Sequence, residues 1–411
     1  MTTTLATTPG LRVETGPALL QHVELGPSLA AHRTLHPARP APRFSDLAAA
    51  VRSVGLSGRG GAAFPFARKL VAVSTAGGRR PVVVVNLSEG EPASSKDAAL
   101  ALTKPHLVLD GAVMVAGALR TRELHLVLPG EGPDVRRAVV AALAERGRDD
   151  RVRVRLHDAD PVFVAGQARA VVELMSGRPN RPVTSWQSTS VSGYRGRPTL
   201  LSNAETYAQL ALLMHEGPAA YRRHGTPDEP GTTLLTVHDT RGSRVAEVEL
   251  GASWSEVLPD LEPQRAVLVG GYHGTWTPAA ELLRLPVSRT AMDARGLSLG
   301  AGVVLVSDTC PLAHAATIAE YLAAESARRC GPCLNGLPAL AVALRRVADG
   351  VGGTGEVERL SALVTGRGAC AHPDGTARMV RSALTSFGDE VAVHARGGCR
   401  YRRADLGGDL S

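Results

Sequence analysis

Aromatic residues make up only 3% of the chain although 44% of its residues are apolar, so alanine, valine and leucine have to fill the interior. No stretch reaches the roughly 18 to 20 apolar residues of a membrane-spanning helix. The first ten residues, MTTTLATTPG, contain neither a charged leader nor an apolar core, and these two absences together predict a cytoplasmic protein with no direct membrane insertion. A basic block interleaved with aromatics is also missing. The formal charge of +7 comes mainly from scattered arginine, which predicts a solvated surface and no nucleic-acid partner, and fits a basic face for an acidic protein better. Cysteine is scarce: five residues, an odd number, clustered toward the carboxyl end. Such a set argues against a disulfide framework and for metal ligation. No Ser-His-Asp or metallohydrolase arrangement is visible, so no residue is assigned as catalytic acid, base or nucleophile.

The 411 residues allow two or three domains, each large enough to bury a core. Residues 1–42 contain Pro and His, are weakly periodic, and are expected to form an arm. Residues 43–225 alternate helix-like runs (46–54, 107–119, 135–145) with strand-like runs (82–85, 124–128, 152–156), the signature of an α/β domain. Short strands separated by turn residues fill 226–306. Residues 307–395 predict helices that present cysteines from the turns between them, and 396–411 form a tail.

Four glycines fall within seven residues in Gly55-Leu-Ser-Gly-Arg-Gly-Gly-Ala-Ala-Phe-Pro65. Without Cβ atoms, such a loop can turn its N–H groups toward one point and hold a phosphate, although a Gly-rich loop of neither the Rossmann nor the Walker spacing is by itself more often a surface turn. Asn86-Leu-Ser-Glu-Gly-Glu-Pro92 follows, preceded by the buried-strand pattern Val82-Val-Val-Val. Cys330-Gly-Pro-Cys333 and Cys370 come much later.

In this order the segments resemble the FMN- and NADH-binding flavoprotein component, the F subunit, of respiratory NADH:quinone oxidoreductase, together with its hydrogenase and formate dehydrogenase relatives. That family's loop reads G-L-R-G-R-G-G-A-G-F-P, and the present one departs from it at Ser57 and Ala63. The resemblance implies a Rossmann-like α/β FMN-binding domain (43–225), a ubiquitin-like β-grasp domain (226–306) and a helical iron–sulfur domain (307–395). It maps flavin-binding positions onto Arg59, Gly60, Gly61, Lys69, Asn86, Ser88, Glu89, Gly166, Ser202 and Asn203, with Lys69 at the phosphate. Ser88 stands for an aspartate and Ser202 for an asparagine. Phe64 and Glu91 are further cofactor positions, able to meet a ring or a ribose hydroxyl; otherwise they are a packed loop aromatic and a solvated carboxylate.

The family holds a [4Fe–4S] cluster through C-x-x-C-x-x-C and a fourth, distant cysteine, since thiolates are soft anionic ligands. Here Ala327 occupies the first ligand position and Cys330, Cys333 and Cys370 occupy the other three. A [3Fe–4S] cluster, or a fourth ligand from water, Ser326, another chain, Cys310 or Cys399, are the alternatives. The same residues with His372 also make a Cys₃His zinc set. Cys310 otherwise reads as a small buried side chain, and Cys399 as solvated.

The nicotinamide side departs further. Gln167 and Ala168 replace two family glutamates, and Ser185 and Ser188 fall where a lysine and a phenylalanine hold the dinucleotide, so weak NADH binding is expected. The resulting expectation is electron transfer from NADH or another redox donor, through FMN and a cluster, to a redox protein such as a ferredoxin or a protein like the E subunit of the same enzyme. A membrane-associated acceptor complex is a further implied partner. The alternative is a non-catalytic paralogue serving as a scaffold, with zinc or no metal at the cysteines.

Overall fold

The computed structural model describes residues 4–8, 11–147 and 150–401. Its strands are β1 (Thr4–Thr8), β2 (Leu11–Glu14), β3 (Val82–Asn86), β4 (Glu123–Pro129), β5 (Arg153–Ala159), β6 (Thr199–Asn203), β7 (Thr232–Asp239), β8 (Gly242–Glu249), β9 (Ala266–Val269), β10 (Thr275–Pro278) and β11 (Val303–Ser307).

The first sheet has four strands in the order β5-β4-β3-β6, all parallel. Every residue of β3 is buried, as a central strand covered by helices on both faces requires. The chain runs from β3 through β4 to β5 on one side, then returns to place β6 on the other side of β3. This reversal puts a crevice at the carboxyl ends of β3 and β6, where open α/β sheets take their ligands. Asn86 pairs with Asn203 at that end. The buried Tyr207 hydroxyl donates to the Val84 and Leu200 carbonyls, both at 3.1 Å, and ties the two strands together. Close helix packing beneath them depends on Gly111, since a Cβ there would lie 2.0 Å from the Tyr207 carbonyl oxygen.

The second sheet has seven strands in the order β1-β2-β8-β7-β11-β9-β10. Its β7–β8 hairpin, with β11 parallel to β7 in the middle, is the β-grasp arrangement. Helices Pro311–Ala324, Leu337–Ala348, Thr354–Val364 and His372–Ser386 pack around a separate apolar core and form the carboxyl-terminal region.

Residues 11–35 are not a free arm. Strand β2 pairs in parallel with β8, and Glu247 accepts from the amides of Ala18, Leu19 and Leu20 at 2.7–3.1 Å. Helix Leu29–Leu35 then docks through His32 and Arg33 on the buried Asp110. Residues 402–411, most of the expected tail, lie outside the described residues. Strand β6 and helix Ala204–Glu216 are elements that hydropathy alone did not delimit. Among the described residues no single helix is long and apolar enough to cross a membrane.

Candidate functional site

The glycine loop lies beside the β3/β6 crevice and closes on itself through Gly58 N–H to the Phe64 carbonyl at 2.8 Å and Ala63 N–H to the Gly60 carbonyl at 3.1 Å. Ala63, at a family glycine position, has φ +45°, in the left-handed region that costs a residue with a Cβ about 1–2 kcal/mol. The Arg59 amide donates to Thr206 Oγ1 at 2.9 Å, which anchors the loop to helix Ala204–Glu216. Ser57 accepts from Arg289 Nη1, tying the loop to the β-grasp region. Gly60 and Gly61 face outward and Phe64 is 43% exposed, with the Arg68 guanidinium 5.6 Å above its ring.

Arg59 turns its guanidinium inward, 3.8 Å from Glu205, and its Nη1 is buried without a hydrogen-bond partner. Glu205 and Asp97 in turn flank Lys96 Nζ at 3.0 and 3.3 Å. Burial pushes the Asp97 carboxyl up to about 6, against the pull of Lys96. Asn203 joins this network through Thr206 and Asp97. Lys69 Nζ donates to the Leu201 carbonyl at 3.0 Å, and among the described residues no carboxylate is within ion-pair distance of it. Burial therefore lowers the Lys69 pKa with nothing to offset it.

Asn86 donates from Nδ2 to the Gly166 carbonyl at 2.9 Å, while its Oδ1 accepts from the Ser88 hydroxyl at 2.6 Å. Gly166 fits against this pair because a Cβ there would come within 2.9 Å of the Ser88 carbonyl oxygen. The Ser202 hydroxyl is buried with no partner. Glu89 has both oxygens occupied by Ser94 and the amides of Asp97 and Ala98, capping helix Lys96–Thr103. Glu91 is not solvated: Oε2 accepts from Tyr272 N–H at 2.8 Å, Oε1 is buried without a partner, and burial raises its pKa to about 7.

These residues fit a phosphate-bearing flavin. A half-buried ammonium without a carboxylate partner, an orphaned guanidinium nitrogen, an orphaned hydroxyl and a crevice floor kept open at Gly166 converge on the strand ends where Asn86 and Asn203 meet.

Cys330 and Cys333 lie with sulfurs 3.5 Å apart, and the nearness of Cys330 and Cys370 adds to burial in raising the Cys333 thiol to about 11. The three sulfurs are not all within 4.8 Å of one another, a wider spread than the roughly 3.8 Å edges that Zn–S bonds of about 2.3 Å impose on a tetrahedron. The zinc set also loses its imidazole. His372 donates from Nε2 to the Leu322 carbonyl at 2.8 Å, so its Nδ1 accepts from His273 Nε2 at 3.0 Å. Both nitrogens are occupied. Ala327 is buried, and the neighbouring Ser326 hydroxyl is 3.4 Å from the Cys333 carbonyl, on the cluster loop. Cys310 and Cys399 are not displaced cluster ligands, because they lie together elsewhere in the helical region. Cys399 is a free thiol of intermediate exposure.

The two sites adjoin. Gln167 follows Gly166 in sequence and is among the groups that oppose the rise burial imposes on the Cys370 thiol pKa. An aromatic group spans the same boundary: the Phe163 ring lies 4.6 Å from His273, and Tyr272 lies 5.6 Å from Tyr321. Phe163 N–H donates to Glu325, just before the cluster loop, at 3.0 Å. None of these contacts has a local sequence signal, because each joins segments far apart in the chain. Arg169 binds the carbonyls of Gln187 and Ser192, which holds the segment of Ser185 and Ser188 against helix Ala168–Met175 and leaves Trp186 98% exposed.

A family model described as the Nuo51 FMN-binding domain matches residues 51–212, and one described as the NADH-ubiquinone oxidoreductase-F iron–sulfur binding region matches residues 313–394. The chain is 30% identical over 368 residues to the second F subunit of NADH-quinone oxidoreductase in Rhizobium meliloti, covering 84% of this chain and 87% of the relative. The chain belongs to the family of NADH-quinone oxidoreductase F subunits. The F subunit in Streptomyces coelicolor is 28% identical, covering 87% of this chain and 84% of that protein. Among solved structures, a chain of the NAD⁺-reducing [NiFe]-hydrogenase in its air-oxidised state aligns with TM-score 0.82 and 28% identity, over 93% of this chain and 67% of that one. Within this family, FMN and an iron–sulfur cluster are the cofactors these two regions carry.

Proposed function

We propose that this member of the NADH-quinone oxidoreductase family receives electrons from NADH or another redox donor at FMN and delivers them through an iron–sulfur cluster to a partner protein of a larger redox assembly. The observation that carries the reading is the tie between the two sites: the Gly166 carbonyl accepts from Asn86 at 2.9 Å, and three residues earlier Phe163 N–H donates to Glu325, just before the cluster loop, at 3.0 Å. When bound, FMN supplies the conversion of a two-electron donation into single-electron transfers. Lys69 would hold the phosphate, while Gly60 and Gly61 allow close approach of the loop backbone. Asn86 is fixed by Ser88 and Gly166, and Ser202 and Asn203 lie on the facing strand end. Glu91 stands between the crevice and the β-grasp region, where it can hold a proton near neutral pH.

Cys330, Cys333 and Cys370 would hold the cluster, a one-electron acceptor, with Ser326 next to the position that Ala327 leaves without a thiolate. The two-cofactor reading favours an electron carrier over a scaffold. An acidic redox protein such as a ferredoxin, or a chain like the E subunit, suits the positive charge as partner, and a cytoplasmic location belongs to the same reading. Anaerobic purification followed by flavin, iron and sulfide analysis tests it. One FMN and three or four irons per chain are expected; folded protein that binds neither after reconstitution contradicts it.

A further inference from the structure

In the helical region, four ligand-bearing side chains meet that the electron path does not use: Cys310, Glu390, His394 and Cys399, with ligand atoms all within 4.8 Å of one another. Cys310, Glu390 and His394 are buried and Cys399 is partly so. We propose that they form a structural zinc site, distinct from the cysteines assigned to the cluster.

Two of the ligand-to-ligand distances are close to the edges of a zinc tetrahedron. Zn–S bonds of about 2.3 Å and Zn–N and Zn–O bonds of about 2.0–2.2 Å give ligand-to-ligand edges of roughly 3.4–3.8 Å. Cys310 Sγ lies 3.4 Å from His394 Nε2, and Glu390 Oε1 lies 3.2 Å from the same nitrogen. The outer contacts fix the ligands in the required form. His394 Nδ1 faces the Ala348 carbonyl, which can only accept, so Nδ1 carries the proton and Nε2 presents its lone pair to the other three groups. Glu390 Oε1 accepts from Arg400 N–H at 2.8 Å, while Oε2 is buried with no partner.

Two thiolates, one imidazole and one carboxylate form a closed donor set that suits zinc. The other histidine–carboxylate group, His32, Asp110 and His215, differs in kind: Arg33 and Arg146 already hold the Asp110 oxygens at 2.7–3.1 Å, so it is a saturated ion-pair network. The zinc site would fasten Cys399, just beyond helix Gly388–His394, to the start of helix Pro311–Ala324.

The test is metal analysis and zinc-edge X-ray absorption on the full-length protein, reconstituted with iron, sulfide and FMN and then with Zn²⁺. One zinc per chain with two sulfur and two nitrogen or oxygen neighbours is expected, and Cys399→Ser should lose it while keeping iron and flavin. If that variant does not fold, the wild-type absorption spectrum still decides. A zinc-free wild type after Zn²⁺ addition, a Cys310–Cys399 disulfide in the native protein, zinc bound by four sulfurs, or zinc retained in Cys399→Ser would each overturn the proposal.

Discussion

Replacing Lys69 by methionine should have opposite effects on the empty protein and on flavin binding. In the apo protein the ammonium is half-buried, donates to one carbonyl at 3.0 Å, and has no carboxylate within ion-pair distance among the described residues. Its charge is therefore held at a desolvation cost, and burial lowers its pKa from the ordinary 10.5. A folded-state pKa below the unfolded one means that the unfolded chain binds more protons in the window between the two. The apo protein should thus gain stability as pH rises through that window, and Lys69→Met should abolish the gain. At neutral pH the variant should be as stable as wild type or more so. Flavin binding should move the other way: a charge-assisted phosphate contact contributes about 1.5–3 kcal/mol, so FMN affinity should fall by roughly ten- to 150-fold. Calorimetric titration with FMN and thermal melts of the apo protein between pH 7 and 10 measure both halves. A destabilised variant that binds FMN within threefold of wild type would refute the assignment.

Three further outcomes are expected. NADH should bind roughly thirty- to a thousandfold more weakly than a site with the family's carboxylates and aromatic would allow, since about 2–4 kcal/mol of contacts are replaced at Gln167, Ala168 and Ser188; rapid anaerobic flavin reduction by micromolar NADH would contradict this. Glu91, raised to about 7 by burial, should make the protein lose about 3 kcal/mol of stability as pH rises from 4.5 to 7, because the folded state holds the proton that the unfolded chain releases; Glu91→Gln should flatten that slope in denaturant titrations. Ala327→Cys should convert a three-iron or oxygen-sensitive centre into a more stable four-iron cluster, read by electron paramagnetic resonance; an unchanged spectrum would mean the buried position does not face the cluster.

The parts of the site legible in the sequence are those built from contiguous residues. Val82 to Asn86 announces a buried parallel strand through its unbroken apolar run, and the glycine loop announces tight backbone curvature, down to the family glycine position where Ala63 now sits at φ +45°. Contacts between distant segments were not legible. Glu89 belongs to the flavin motif by position, yet the amides of Asp97 and Ala98 claim it, because an uncapped helix start beside a carboxylate is satisfied first. Residues 11–20 look unstructured in isolation because their order comes from β8 and from the buried Glu247 carboxylate, far along the chain. His372 fits a zinc spacing but is held on both sides by His273 and Leu322. Cys310 and Cys399 looked unrelated because the fold alone brings them together.

The central claim is that electrons pass from the flavin crevice to the cysteine cluster across the junction formed by Phe163 to Gly166 and the cluster loop. The most direct measurement is anaerobic reductive titration of the reconstituted protein, following flavin absorbance and cluster paramagnetic resonance together, in wild type and in Cys370→Ser. Reduction of the flavin in wild type should be followed by a change in the cluster signal, and the variant should keep a reducible flavin while losing that signal. A wild-type flavin that reduces fully while an intact cluster stays unchanged would contradict the account.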